Sequence, residues 1–244
     1  MRPLDISITK NVLGLFINSA VLLVIMMSCV RWYKKHPLED GAPKGGVGMI
    51  EATVLSIYND VIKGCIGENY RRYAPYLLTA FFFVLVNNLM GLIPIFPGGA
   101  NVTGNIAITL VLALCTFVLT NVYGTKAYWK EIFWPDVPTW LKAPIPMMPL
   151  IEFFGIFTKP FALMIRLFAN IMAGHAAVLS LVAIIFITVK SGPVINGSMT
   201  VVSVAFSIFM NALEILVAFI QAYVFTMLSA VFIGLSQVKE HAEK

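Results

Sequence analysis

The stretch FALMIRLFANIMAGHAAVLSLVAIIFITV, from Phe161 to Val189, is 29 residues long and almost wholly apolar. Arg166, Asn170 and His175 break it. An arginine at such a place costs roughly 2.5–3.5 kcal/mol on insertion scales. Charges inside a membrane usually face a protein interior or a watery cavity and mark an ion path. The plainer alternative is an arginine near a helix end that snorkels to the headgroups.

The rest of the chain supports a membrane setting. Of 244 residues, 59% are hydrophobic and 12% are charged, where a soluble domain carries about 25% charged residues. Mean hydropathy is +0.87. Several runs near 20 apolar residues identify an all-α polytopic membrane protein. The alternating ten-residue segments of a β-barrel are not evident. The net charge of +5 sits in the loops and reads as topology, with no nucleic-acid partner implied. Cys29, Cys65 and Cys115 are far apart and lack a CxxC partner, so neither a disulfide framework nor a zinc site follows. No cofactor or metal is expected.

The whole chain, 1–244, reads as one membrane domain. A first span covers 11–30, too long for a secretory h-region and without an obvious cleavage site, so it is expected to be retained. Arg31, Lys34 and Lys35 follow, then the linker HPLEDGAPKGG. Residues 47–70 interleave Glu51, Asp60, Lys63 and Glu68 with apolar side chains, which predicts an amphipathic helix on the inner surface. A helical hairpin over 75–123 turns at PIFPGGANVTGN. Asn101-Val102-Thr103 matches a glycosylation acceptor pattern, but a short polar turn is the better account. Asn87 and Asn88 inside this hairpin serve helix packing or a polar path. Trp129, Trp134 and Trp140 in the following loop suit a headgroup-level belt.

Residues 146–237 form a long hairpin. One helix runs to Val189, interrupted near Pro160, and KSGPVING turns it into a second from Ser198 to Gln237. About 40 residues reach roughly 60 Å, twice the ~30 Å hydrocarbon core, so the pair is expected to lie steeply tilted. The count is then about five crossing helices plus the surface helix. Among 17 Lys and Arg, only Arg2, Lys10 and Lys190 fall on the outer side, which places the N-terminus outside and the C-terminus in the cytoplasm, or in the matrix of a mitochondrion.

At about 100° per residue, Glu152, Lys159 and Asn170 share a face with Arg166, and His175 lies opposite. On the last helix Ser203, Ser207, Glu214 and Gln221 fall on one line. Interhelical hydrogen bonds explain the serines, but Glu214 needs a partner or an altered protonation state. Folding the two helices antiparallel about Pro193 puts Arg166 level with Gln221 and His175 level with Glu214, two polar levels across one hairpin. His and a buried Glu can pass protons. Arginine stays charged and works as a barrier that also favours an ionised carboxylate carried past it. Glu152, nearer the inner end, suits an exit.

KPFALMIRLFANIMAGH, LEILVAFIQAYVF, NNLMGLIP and ANVTGN together resemble subunit a of F-type ATP synthases, over about residues 11–237. The resemblance implies that Arg166 is the essential charge facing the rotating c-ring. It implies two offset half-channels, with Asn170, His175, Glu214 and Gln221 at family positions lining the channel and the ring contact. Glu152 matches a less strictly required acidic position. Many bacterial members carry more residues before the first helix.

The implied protein is a proton-translocating stator subunit of Fo, with no enzyme activity of its own. Its partners would be the c-ring, b-type peripheral-stalk subunits, the rest of F1Fo and the lipid bilayer. Its place would be an energy-coupling membrane, the bacterial inner membrane before the mitochondrial one. The titratable His175–Glu214 pair favours protons over sodium. The alternatives are a secondary transporter with a central Arg166 site, against which the missing inverted repeat argues, and a membrane scaffold with no path.

Overall fold

A computed structural model describes residues 9–36, 43, 45–93, 102–133 and 147–237. Among these residues the chain is helical, with no strand. Four helices are long and apolar enough to cross a membrane, or five if a bent pair is one span. The tip residues 94–101, the linker residues 37–42 and 44, Trp134, Trp140 and the charged tail 238–244 lie outside the described residues.

The first helix, α1, is Lys10–Lys35, capped by the Thr9 side chain. It is largely exposed, and its buried polar group is Asn18. Asn18 Nδ2 donates to Asn87 Oδ1 of α4 (Tyr70–Leu92) at 2.9 Å. The two asparagines thus join these helices where apolar contact alone has little drive.

Between them, α2 (Gly46–Ser56) widens into a π-helical segment, Ile57–Lys63, and continues through α3 (Gly64–Ile66) and a 3₁₀ turn, Gly67–Asn69. The expected single amphipathic helix over 47–70 therefore has a wide turn in its middle. The reason is burial: Ile57, Val61, Ile62 and Ile66 all enter the core, and their spacing of four, one and four suits a π turn better than a regular helix. Asp60, Lys63 and Glu68 stay outside.

The helix α5 is Ile106–Val122, opened by Asn105, whose Oδ1 accepts from Ala107 N at 3.0 Å. Thr103, just before it, is fully buried and bonded to Asn88, as a structural turn residue would be. The next helix, α6 (Lys126–Phe133), turns 98° away from α5. The loop expectation for this part of the chain gives way to a short helix carrying Trp129 stacked on Phe133.

The long helices are α7 (Met147–Thr188) and α8 (Pro193–Ser236). At 1.5 Å per residue they reach about 63 and 66 Å. Pro160 lies inside α7, which runs through it without the expected interruption. A proline removes one backbone donor, and a bundle of apolar helices tolerates that loss. The turn between the helices is also tighter than expected. Gly192 takes φ +104°, which suits glycine, and Pro193 starts α8 at the position where its fixed φ fits.

The core lies among α4, α8, the π segment and the middle of α7, with Leu77, Phe81, Leu167, Ala222 and Ile233 fully buried. Polar side chains bridge it as well. Tyr76 Oη meets Thr116 Oγ1 at 2.8 Å, and Thr116 Oγ1 meets Ser229 Oγ at 3.2 Å, linking α4, α5 and α8. At the far end Thr125 N donates to Ser236 O at 2.9 Å and Gln237 Nε2 donates to Tyr123 O at 2.6 Å. The result is a framework holding α8 on one side, while the most apolar window of α7 has no residue buried within the chain.

Candidate functional site

Four contacts set the antiparallel register of α7 and α8. From the turn they are Thr188 Oγ1 with Asn196 Oδ1 at 3.1 Å, His175 Nδ1 with Glu214 Oε1 at 3.8 Å, Asn170 Nδ2 with Gln221 Oε1 at 3.1 Å, and Lys159 Nζ over the Phe232 ring at 5.9 Å. The His175–Glu214 level is the one expected from the sequence. Gln221, by contrast, meets Asn170, one helical turn from Arg166. Gln221 is buried, Glu214 is 12% exposed and His175 is 35% exposed. The polar line on α8 therefore faces inward, with Ser203 also buried.

These two polar levels line one small cavity of about 30 Å³ together with Asn88, Gly91 and Leu92 of α4. It lies toward the α7–α8 turn, beside the C-terminal end of α4. A titratable pair, an amide pair and a further amide thus share one small volume. Carboxylate and imidazole can exchange a proton through water across such a gap, and the amides supply both donors and acceptors along its wall.

Arg166 is exposed on α7 and is not among the residues lining this cavity. Leu163, Met164 and Leu167 bury the opposite side of the helix. Along the Arg166 face of the helix the exposed neighbours are Ala162, Ala169, Asn170 and Ala173, with Phe161, Ile165 and Met172 exposed to one side. Small residues let another helix approach closely. Among the described residues no carboxylate is paired with Arg166. Glu152 is half-exposed near the start of α7. It is roughly 21 Å along the axis from Arg166 and takes no part in the cavity.

One contributor was not singled out from the sequence. Gly174 sits under Glu214: a Cβ there would collide with Oε1 and come within 3.0 Å of Cδ. The glycine is what gives the carboxylate its place. Asn88, read from the sequence as packing or path, bonds across to α8 and lines the cavity. The glycine's neighbour on α8 is forty residues away in sequence, so spacing along one helix could not reveal it.

Residues 13–234 match the family described as the ATP synthase A chain. The chain belongs to that family. It is similar to the ATP synthase subunit a of Chlorobium phaeobacteroides strain DSM 266, with 49% identity over 98% of this chain and 68% of the relative. The subunit a of Chloroherpeton thalassium is 45% identical over 97% of this chain and 68% of its own length. That of Myxococcus xanthus is 39% identical over 98% and 75%. The A chain family accounts for an all-helical membrane protein that moves ions and catalyses no reaction alone.

Proposed function

We propose that the chain is the proton-translocating stator subunit of an Fo sector, working against a ring of carboxylate-bearing c subunits. The observation that carries this reading is the separation of two features on one hairpin. The His175–Glu214 and Asn170–Gln221 levels share a cavity, while Arg166 stands outside it on an exposed face of small residues.

In this reading the cavity is the outer half-channel. A proton enters past His175 and Glu214 and protonates a ring carboxylate. After nearly a full rotation that carboxylate reaches a second, inner half-channel toward Glu152 and loses its proton there. Arg166 cannot be deprotonated, so protons do not pass directly between the half-channels, and its charge favours the ionised carboxylate as it goes by. The long hairpin lies steeply tilted so that its open face follows the ring. The N-terminus is outside, the C-terminus inside, and b-type stalk subunits hold the chain against rotation. The membrane is the bacterial plasma membrane, in keeping with the bacterial source of its relatives.

Arg166→Ala should abolish ATP-driven proton pumping in vesicles reconstituted with the whole complex. Intact coupled pumping in that variant would remove the assignment. A central Arg166 substrate site, as in a secondary transporter, has less support because the arginine is outside the cavity.

A further inference from the structure

We infer that Thr103 is a positioning residue that fixes which way the Asn88 amide faces in the cavity beside His175 and Glu214. The inference rests on reading that cavity as the proton entry.

Thr103 lies in the turn before α5 and is fully buried, and Asn88 is 5% exposed. Thr103 Oγ1 donates to Asn88 Oδ1 at 2.7 Å. On its other side, Asn88 Nδ2 donates to the backbone carbonyl of Ala218 at 3.4 Å. The carbonyl decides the orientation, because it can only accept. Turning the amide over would set two acceptors against each other at Ala218. With Nδ2 toward Ala218, Oδ1 points to Thr103, and the hydroxyl must supply the proton. Both ends of the amide are then satisfied within protein.

A primary amide has two hydrogens on nitrogen. One goes to Ala218, and the other is left for the cavity that Asn88 lines with Glu214 and His175. Asn88 is thereby a fixed donor on that wall. A water held there gives its oxygen to Asn88 and turns its hydrogens to the opposite side, where the Glu214 carboxylate accepts. Without the Thr103 hydroxyl, the buried Oδ1 has no donor. The bond to Ala218, long at 3.4 Å, disfavours a full turn but does not hold the amide by itself, so the amide shifts to bring Oδ1 to water and the cavity wall loses its fixed donor. Water beside it is then no longer oriented, and the path loses its alignment.

The test is passive proton conduction through the complete Fo sector in vesicles stripped of F1, compared at equal subunit content. Thr103→Val keeps the shape and removes the hydroxyl, and it should lower conduction roughly five- to tenfold, the scale of one lost hydrogen bond. Thr103→Ser keeps the donor and should stay within about twofold on the same scale. Measured against Asn88→Ala alone, adding Thr103→Val should bring no further loss, because Thr103 acts through Asn88. If the valine variant does not assemble, Thr103→Ala is read in its place. Native conduction in the valine variant, equal losses for valine and serine, or an undiminished valine effect without Asn88 would each overturn the role of Thr103. Glu214→Gln, measured alongside, separates the two levels: native conduction there removes the reading of the cavity itself.

Discussion

The Glu214 carboxylate occupies the space that a side chain at position 174 would need, so the acid on α8 and the glycine on α7 are one fitted pair. The fit also brings Glu214 to 3.8 Å from His175, one residue along α7 from the glycine. Gly174→Ala should therefore push the carboxylate out of its place. The clash falls on the end of a flexible side chain, which can swing aside at little cost in stability. Proton conduction should fall while the complex still assembles. Conduction equal to native with a fully incorporated alanine variant would show that the carboxylate can move without consequence.

The His175–Glu214 pair should behave as a unit. Glu214→Gln and His175→Ala are each expected to slow ATP-driven pumping by about a hundredfold or more, the usual scale for a positioned proton-transfer group. Exchanging the two, His175→Glu with Glu214→His, keeps an acid and an imidazole on facing helices. The exchange should restore part of the lost rate. A double variant slower than both singles would argue that orientation, and not the pair's chemistry, sets the rate.

Asn18 and Asn87 make a different kind of prediction, about stability. Asn18→Leu leaves the buried Asn87 Oδ1 without its donor, which costs about 1–3 kcal/mol. Asn18 Oδ1 is itself buried without a partner. Replacing both asparagines by leucine removes every unpaired group at once and should be close to neutral. Thermal unfolding of the complex in detergent reads both variants, and equal losses for the single and the double would reject the pairing.

At the α4–α5–α8 junction, Tyr76→Phe removes the hydroxyl that meets Thr116. Thr116 retains Ser229, so the loss should be modest, about 0.6 kcal/mol as for other hydrogen bonds between membrane helices. Tyr76→Phe combined with Ser229→Ala should cost more than either alone. A large drop in assembly from Tyr76→Phe by itself would mean that the hydroxyl does more than bridge these helices.

Much of the architecture was legible because a membrane imposes simple demands. Backbone groups must bond within their own helix, so apolar runs of sufficient length are helices. That identified the long helices from the apolar stretches flanking Arg166 and Glu214. The facing of His175 and Glu214 was also legible, since an antiparallel hairpin fixes depth by counting from its turn. The same count put Gln221 beside Arg166, but its partner is Asn170. Counting gives depth only to within about a turn, and hydrogen bonding then selects the neighbour. The π segment at Ile57–Lys63 was missed, because its spacing signal depends on knowing that Ile57, Val61, Ile62 and Ile66 are the buried positions among many apolar neighbours.

The sequence alone therefore determined that this chain is a helical membrane protein with an arginine and an acid–imidazole pair at defined depths. Hydropathy and helix periodicity are local properties, and they can be counted along the chain. Only the tertiary structure decided that Gly174 makes room for Glu214, that Asn88 joins the cavity from α4 and that Thr103 closes on Asn88. Those relations depend on the approach of helices distant in sequence. The apolar run around Arg166 announces that a charge is there; the packing of α7 on its neighbours decides that Arg166 faces outward while Glu214 turns in toward His175.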